Sequence, residues 1–236
     1  MPTPEEVFHQ IAHRNGSVWL DGGDGTEGWS ILSFDPVDVL LEPKDWREAG
    51  RKISSIYQDS QLPFTGGCIG YVGYGAGHVV TPMPRQPPTW EPEVWLGHYL
   101  GALCFHHKSR TWHCSGPKRF QEEAMSLLAS ATRLNTPPPA TCSGPSRTTE
   151  KSLYLSHIQQ IHDWLIEGDC YQVNLTRPVW LNSAGDSWSA YRRLRHHSTP
   201  SYGAYLKLDN ALAILSNSPE LLLDYDKEVA ISDPIP

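Results

Sequence analysis

Eleven histidines, five cysteines and a glycine-rich stretch are the residues of this chain most able to do chemistry, and their spacings remove most of the familiar options. His106-His107, His196-His197 and the histidines at 9, 13, 78, 98, 113, 157 and 162 make no HExxH or similar ligand spacing. His157 and His162, five apart, fall on different faces of a helix, so no metal site is expected within this chain. No Gly-x-Ser-x-Gly nucleophile elbow occurs. The cysteines at 68, 104, 114, 142 and 170 form no CxxC and are odd in number, which argues against a complete disulfide framework and predicts reduced packing residues. The stretch from Gly67 to Tyr74 has glycines at 67, 70 and 73, but it lacks the lysine of a phosphate loop and a following amphipathic helix. Glycines alternating with aromatics fit instead a strand passing close to another backbone or a large ring. There remains Glu220, in Ser218-Pro219-Glu220 at the expected start of a strand. Taken alone it reads as an exposed strand-end carboxylate.

The elements that must position these residues follow α+β order. Thr3-Pro4-Glu5-Glu6 is a capping box with proline at the first helical position, and Val7, Phe8, Ile11 and Ala12 supply one apolar side. Strands are expected at 17–21, 29–34 and 37–41, as a hairpin with an added strand, and a helix at about 45–59. After the glycine-rich strand and a proline-rich loop over 82–92, the pattern predicts a hairpin of 94–105 with 111–114. A helix over 117–134 follows, with Phe120, Ala124, Leu127, Leu128 and Ala131 inward. Proline and glycine between 135 and 147 predict a linker, dividing an N-terminal domain, 1–134, from a second domain beginning at 148. In the second part Leu153, Ile158, Ile161 and Leu165 form a helical stripe that Gly168 is placed to end, and 171–175 switches to a strand period. A helix over 188–196 and antiparallel strands at 201–208, 211–215, 221–225 and 229–232 complete the order.

A net charge of −7, with Arg192-Arg193-Leu194-Arg195 as the main basic run, excludes a nucleic-acid footprint and leaves that run as one face of a helix. No run of eighteen apolar residues exists, and the N-terminus lacks the basic start and apolar core of a secretory signal, so a cytoplasmic protein with no membrane partner is expected.

The wording of Cys170-Tyr171-Gln172-Val173-Asn174-Leu175, followed about forty residues later by Ser218-Pro219-Glu220, is more specific than any periodicity. It resembles the component I family of chorismate-utilising enzymes, and within it the aminodeoxychorismate synthase branch of p-aminobenzoate and folate synthesis more than the anthranilate synthase branch of tryptophan synthesis. The resemblance covers the N-terminal portion of that family. It implies an α+β fold of antiparallel sheets flanked by helices, with chorismate as substrate, Mg²⁺ held by residues absent from this chain, and a glutamine amidotransferase component II as partner. In the family, the Ser-Pro-Glu carboxyl is the general acid that helps the C4 hydroxyl of chorismate leave, and this role falls to Glu220. The family's nucleophilic lysine stands in a Pro-Ile-Lys segment, where this chain reads Pro234-Ile235-Pro236. A chain with proline there and without the magnesium-binding half is expected to be inactive alone, working with a separately encoded C-terminal half or serving as a non-catalytic binding or regulatory module. The resemblance also implies a tryptophan-type pocket at Leu20-Asp21-Gly22, Gly28-Trp29-Ser30 and Ser201-Tyr202-Gly203. Gly22 and Gly28 replace a serine and an arginine there, which favours ordinary packing of Trp29 and Tyr202 over ligand binding.

Overall fold

The computed structural model describes residues 1–23, 28–41, 61–79, 92–137, 141–198, 201–226 and 229–233. The helix expected at 45–59, most of the loop at 82–92 and Pro236 lie outside the described residues. The chain divides into two compact units, one made of Met1–Pro137 with Ser187–Pro236 and the other of Pro138–Asp186.

The first unit is built on a six-stranded antiparallel sheet. Its strands are β1 (Ser17–Asp21), β2 (Trp29–Ser33), β6 (Ala102–His106), β7 (Thr111–Ser115), β10 (Tyr202–Lys207) and β11 (Ala213–Ser218). They lie in the order β11-β10-β1-β2-β6-β7. A second sheet, β3-β5-β4, joins Asp38–Leu41, Val94–Tyr99 and Gly67–Val72, and β12 (Leu221–Asp226) pairs with β13 (Val229–Asp233) as a separate hairpin. The short helix α1 (Pro4–Phe8) starts at the capping box, both of whose hydrogen bonds form between Thr3 and Glu6. Helices α2 (Lys118–Ser130) and α4 (Ser187–His197) belong to the same unit.

Period-two alternation sends the two faces of the large sheet to two different cores. Trp19, Leu32, Leu103 and Tyr205 join Val7, Phe8 and Ile11 around α1, Ala124 and Leu127 of α2, and Trp188 and Tyr191 of α4. Val18 and Leu206 point the other way, to Ile69, Trp95 and Tyr99 of the second sheet. Gly70 confirms the close-packed reading of the glycine-rich strand: a Cβ there would meet the Trp95 carbonyl oxygen at 1.9 Å.

Three expectations are corrected in this unit. β3 does not extend the β1–β2 hairpin but pairs with β5 in the second sheet. The single strand expected over 94–105 breaks at Leu100-Gly101, and its halves enter different sheets. Gly101 permits the crossing, since a Cβ on it would lie 2.2 Å from the Ser115 carbonyl oxygen. Residues 187–236 do not start a separate domain, because β10 lies beside β1 and joins the first core.

The second unit holds α3 (Lys151–Glu167) and the pair β8 (Thr141–Thr148) and β9 (Val179–Ala184). The expected linker over 135–147 thus contributes a strand, whose backbone groups are satisfied by pairing with β9. Gly168 ends α3 in the left-handed conformation at φ 82°, as its position predicted. Tyr171–Leu175 is not a strand, since it has no neighbour to pair with, and Tyr171 is 98% exposed. No residue of α3 is buried; Leu153, Leu155, Ile158, Leu165 and Ile166 are all exposed.

Candidate functional site

Antiparallel pairing collects the candidate residues at one end of the large sheet. β1 and β11 end there while β2 and β10 begin, so Asp21 pairs with Gly203, Gly203 with Asn217, and Tyr202 with Ser218. Glu220 follows two residues beyond Ser218. The Ser218 hydroxyl accepts from the Glu220 backbone N–H at 3.2 Å and lies 3.2 Å from the Glu220 carbonyl oxygen as its donor. This local turn fixes the Glu220 backbone. Its side chain is exposed and makes no hydrogen bond or ion pair among the described residues.

The residues of the expected tryptophan-type pocket share this sheet end but divide between its faces. Leu20 packs toward the second core, whereas the buried Ser30 hydroxyl is in hydrogen-bond contact with His107 Nε2 at 2.9 Å and donates to Asp21 Oδ1 at 3.4 Å. Trp29 is half-buried between His106 and His113, with ring centroids 4.6 and 5.4 Å away. Gly203 is buried, Ser201 exposed, and Tyr202 40% exposed. Trp29 packs against these two imidazoles, while Tyr202 is at the surface and not in a core. Gly22 shows why serine is absent: a Cβ at that position would sit 2.4 Å from the Trp29 carbonyl oxygen.

Below this end lies a polar network that sequence reasoning missed. Asp21 is fully buried, and its carboxylate accepts from Arg195 Nε at 2.6 Å, from the Tyr191 hydroxyl at 3.3 Å and from the Gly23 N–H at 3.0 Å. Arg195 also lies over the Trp19 ring, 5.2 Å from its centroid. One turn away, Arg192 Nε donates to Glu5 Oε1 at 2.6 Å and its guanidinium reaches the Asn135 carbonyl, while His196 Nε2 is 2.9 Å from Glu5 Oε2. Burial acts to raise the Glu5 carboxyl, but the hydrogen bonds and charges of Arg192 and His196 outweigh it and hold it below its usual value. Burial pushes the Tyr191 hydroxyl upward, and the Asp21 charge adds to the effect. The basic run does form one helix face, but Arg192 and Arg195 turn it inward, 6% and 8% exposed. The signal available was their i, i+3 spacing among aromatics, together with acidic residues in α1 and β1.

Cys68, Cys104 and Cys114 behave as packing groups. Burial pushes the Cys104 thiol up to about 12, partly opposed by its contact with the Phe64 carbonyl, and also raises Cys68 and Cys114.

A model of the chorismate binding enzyme family matches residues 16–236. The chain belongs to this family. It is 30% identical to aminodeoxychorismate synthase component 1 of Salmonella typhimurium over 94% of its own length and 54% of that protein. The corresponding protein of Escherichia coli is 28% identical, over 89% of this chain and 45% of that one. Anthranilate synthase component 1 of Geobacillus stearothermophilus is 25% identical, over 95% and 46%. The fold matches the crystal structure of anthranilate synthase component I from Streptococcus pneumoniae with a TM-score of 0.68 at 19% identity, over 86% of this chain and 52% of that one. The chain spans about half the length of the curated relatives it matches. Among the described residues no group of three or more His, Cys, Asp or Glu is arranged to hold a metal ion. No helix among them is long and apolar enough to cross a membrane.

Proposed function

We propose that this chain is the N-terminal portion of a component I of the aminodeoxychorismate synthase type, which replaces the C4 hydroxyl of chorismate by an amino group. The observation that carries this reading is the 30% identity over 94% of the chain to a protein of that name, together with the Cys170–Leu175 wording. Glu220 is the proton donor to the leaving hydroxyl. The turn through Ser218 holds its backbone at the sheet end, and closure of the site over it is what would desolvate the carboxyl. Asp21, Arg195 and Tyr191 keep β1 and α4 fixed beneath that end, acting on position and not on substrate.

Two parts of the chemistry come from elsewhere. Pro236 stands where the family's lysine nucleophile is expected, and the Mg²⁺ ligands belong to the second half of the fold. The exposed apolar residues of α3 support completion by that second half, whether by further sequence or by a second chain, with a glutamine amidotransferase component II supplying ammonia. The protein is expected to act in the cytoplasm.

The test is an assay of this chain with the C-terminal portion of a component I relative, chorismate, Mg²⁺ and ammonium, with chromatographic identification of the product. Aminodeoxychorismate is expected; anthranilate would assign the chain to the other branch, a reading that its 25% identity to anthranilate synthase component 1 keeps relevant.

A further inference from the structure

On the helical face of the large sheet a cleft of about 500 Å³ opens between three elements: Thr3, Pro4 and Glu5 at the start of α1, Phe105, His107 and Arg110 around the β6–β7 turn, and Arg195 and His196 in the last turn of α4. Its charge is opposite to that of the chain. The protein carries −7, yet two guanidiniums and two imidazoles face this cleft against a single carboxylate. That carboxylate, Glu5, is already engaged by Arg192 at 2.6 Å and His196 at 2.9 Å, and Arg195 is matched by Asp21 at 2.6 Å. Arg110 is left over. It is exposed and has no ion pair or hydrogen bond among the described residues. It also stands at φ 55°, in the left-handed region where glycine or asparagine is usual, so the turn keeps a strained arginine at the mouth of the cleft. Phe105 and Pro4 add apolar wall beside it.

We propose that this cleft binds a small oxyanion, the carboxylate or phosphate of a metabolite, with Arg110 as its bidentate partner. A planar guanidinium matches both groups, and the already neutralised Glu5 offers little repulsion. His107 and His196 flank the anion, while the Glu5–Arg192 and Asp21–Arg195 pairs hold the walls. The cleft lies on the α1 and α4 side of the sheet, Glu220 does not line it, and the inference does not depend on the reaction proposed above.

The experiment is thermal unfolding of the full chain titrated with sodium phosphate or with sodium citrate, each against sodium chloride at equal ionic strength. One of the two anions is expected to raise Tm saturably, by roughly 3–5 °C at tenfold excess over Kd, and which one does so identifies the group. Arg110→Gly removes the guanidinium while suiting the left-handed backbone, so it folds; it should abolish the rise. Arg133→Ala, the same charge change at an exposed site outside the cleft, should retain it. No rise beyond chloride with either anion, or an undiminished rise in Arg110→Gly, overturns the proposal.

Discussion

At the scale of single residues, the ion network between α1, β1 and α4 decides more than any candidate catalytic group. Asp21 has no access to water, so removing its charge takes from the buried Arg195 its 2.6 Å counter-ion and leaves Glu5 at 3.7 Å as the nearer remaining carboxylate. Asp21→Asn is expected to lower unfolding free energy by about 3–5 kcal/mol in urea titrations, and the double variant Asp21→Asn with Arg195→Met to recover part of the loss. Glu5 gives the network its pH dependence. Its folded value lies below the unfolded 4.5, so its contribution is present above that pH and is lost as pH falls through the folded value. Acid titrations should therefore show a stability loss below about pH 4.5 that is smaller in Glu5→Gln. Cys104, with its thiol pushed up to about 12, should resist thiol reagents in the native state and react after unfolding.

At the scale of elements, local signals were legible where a single position decides the outcome. Thr3 and Glu6 announced α1, Gly168 announced the end of α3, and Gly67 to Val72 formed the close-packed strand that their alternation suggested. What the pattern does not carry is the choice of partner strand. β3 and β5 have the same period-two character whichever sheet they join, and nothing local in Leu100-Gly101 announces a crossing between sheets. Tyr171–Leu175 reads as a strand and yet lacks a neighbour, so the backbone has no ladder to join. The site was legible in part for the same reason. Motif wording pointed to Glu220, Gly22 and Trp29, but the inward turn of Arg192 and Arg195 depends on α4 meeting α1 and β1, contacts distant in sequence. Gly22 supplies a test at this scale: Gly22→Ser should destabilise the β1–β2 end, because the added Cβ meets the Trp29 carbonyl, and calorimetric titration with L-tryptophan should register no heat in either form.

At the scale of the whole molecule, the two units differ in how much they bury. The first has two cores, one of them knit by aromatic contacts among Phe8, Trp19, Trp188, Tyr191 and Tyr205. The second presents α3 and β9 with Trp164, Leu165, Ile166, Val179, Trp180 and Leu181 exposed, an apolar surface of the kind that proteins reserve for a partner. Leu165→Glu with Ile158→Glu should leave the melting of the first unit unchanged, while weakening association with a second half of the fold by at least tenfold in pull-down titrations. We propose that this chain holds, in Glu220, the general acid of a chorismate-aminating enzyme whose remaining machinery lies in that second half. The most direct test compares turnover of chorismate with ammonium and Mg²⁺ by the chain alone and by the chain mixed with the C-terminal portion of the Salmonella typhimurium relative. Aminodeoxychorismate is expected only in the mixture, reduced by about 10²–10⁴ in Glu220→Gln. Product from the chain alone, or a mixture indifferent to Glu220→Gln, would contradict the proposal.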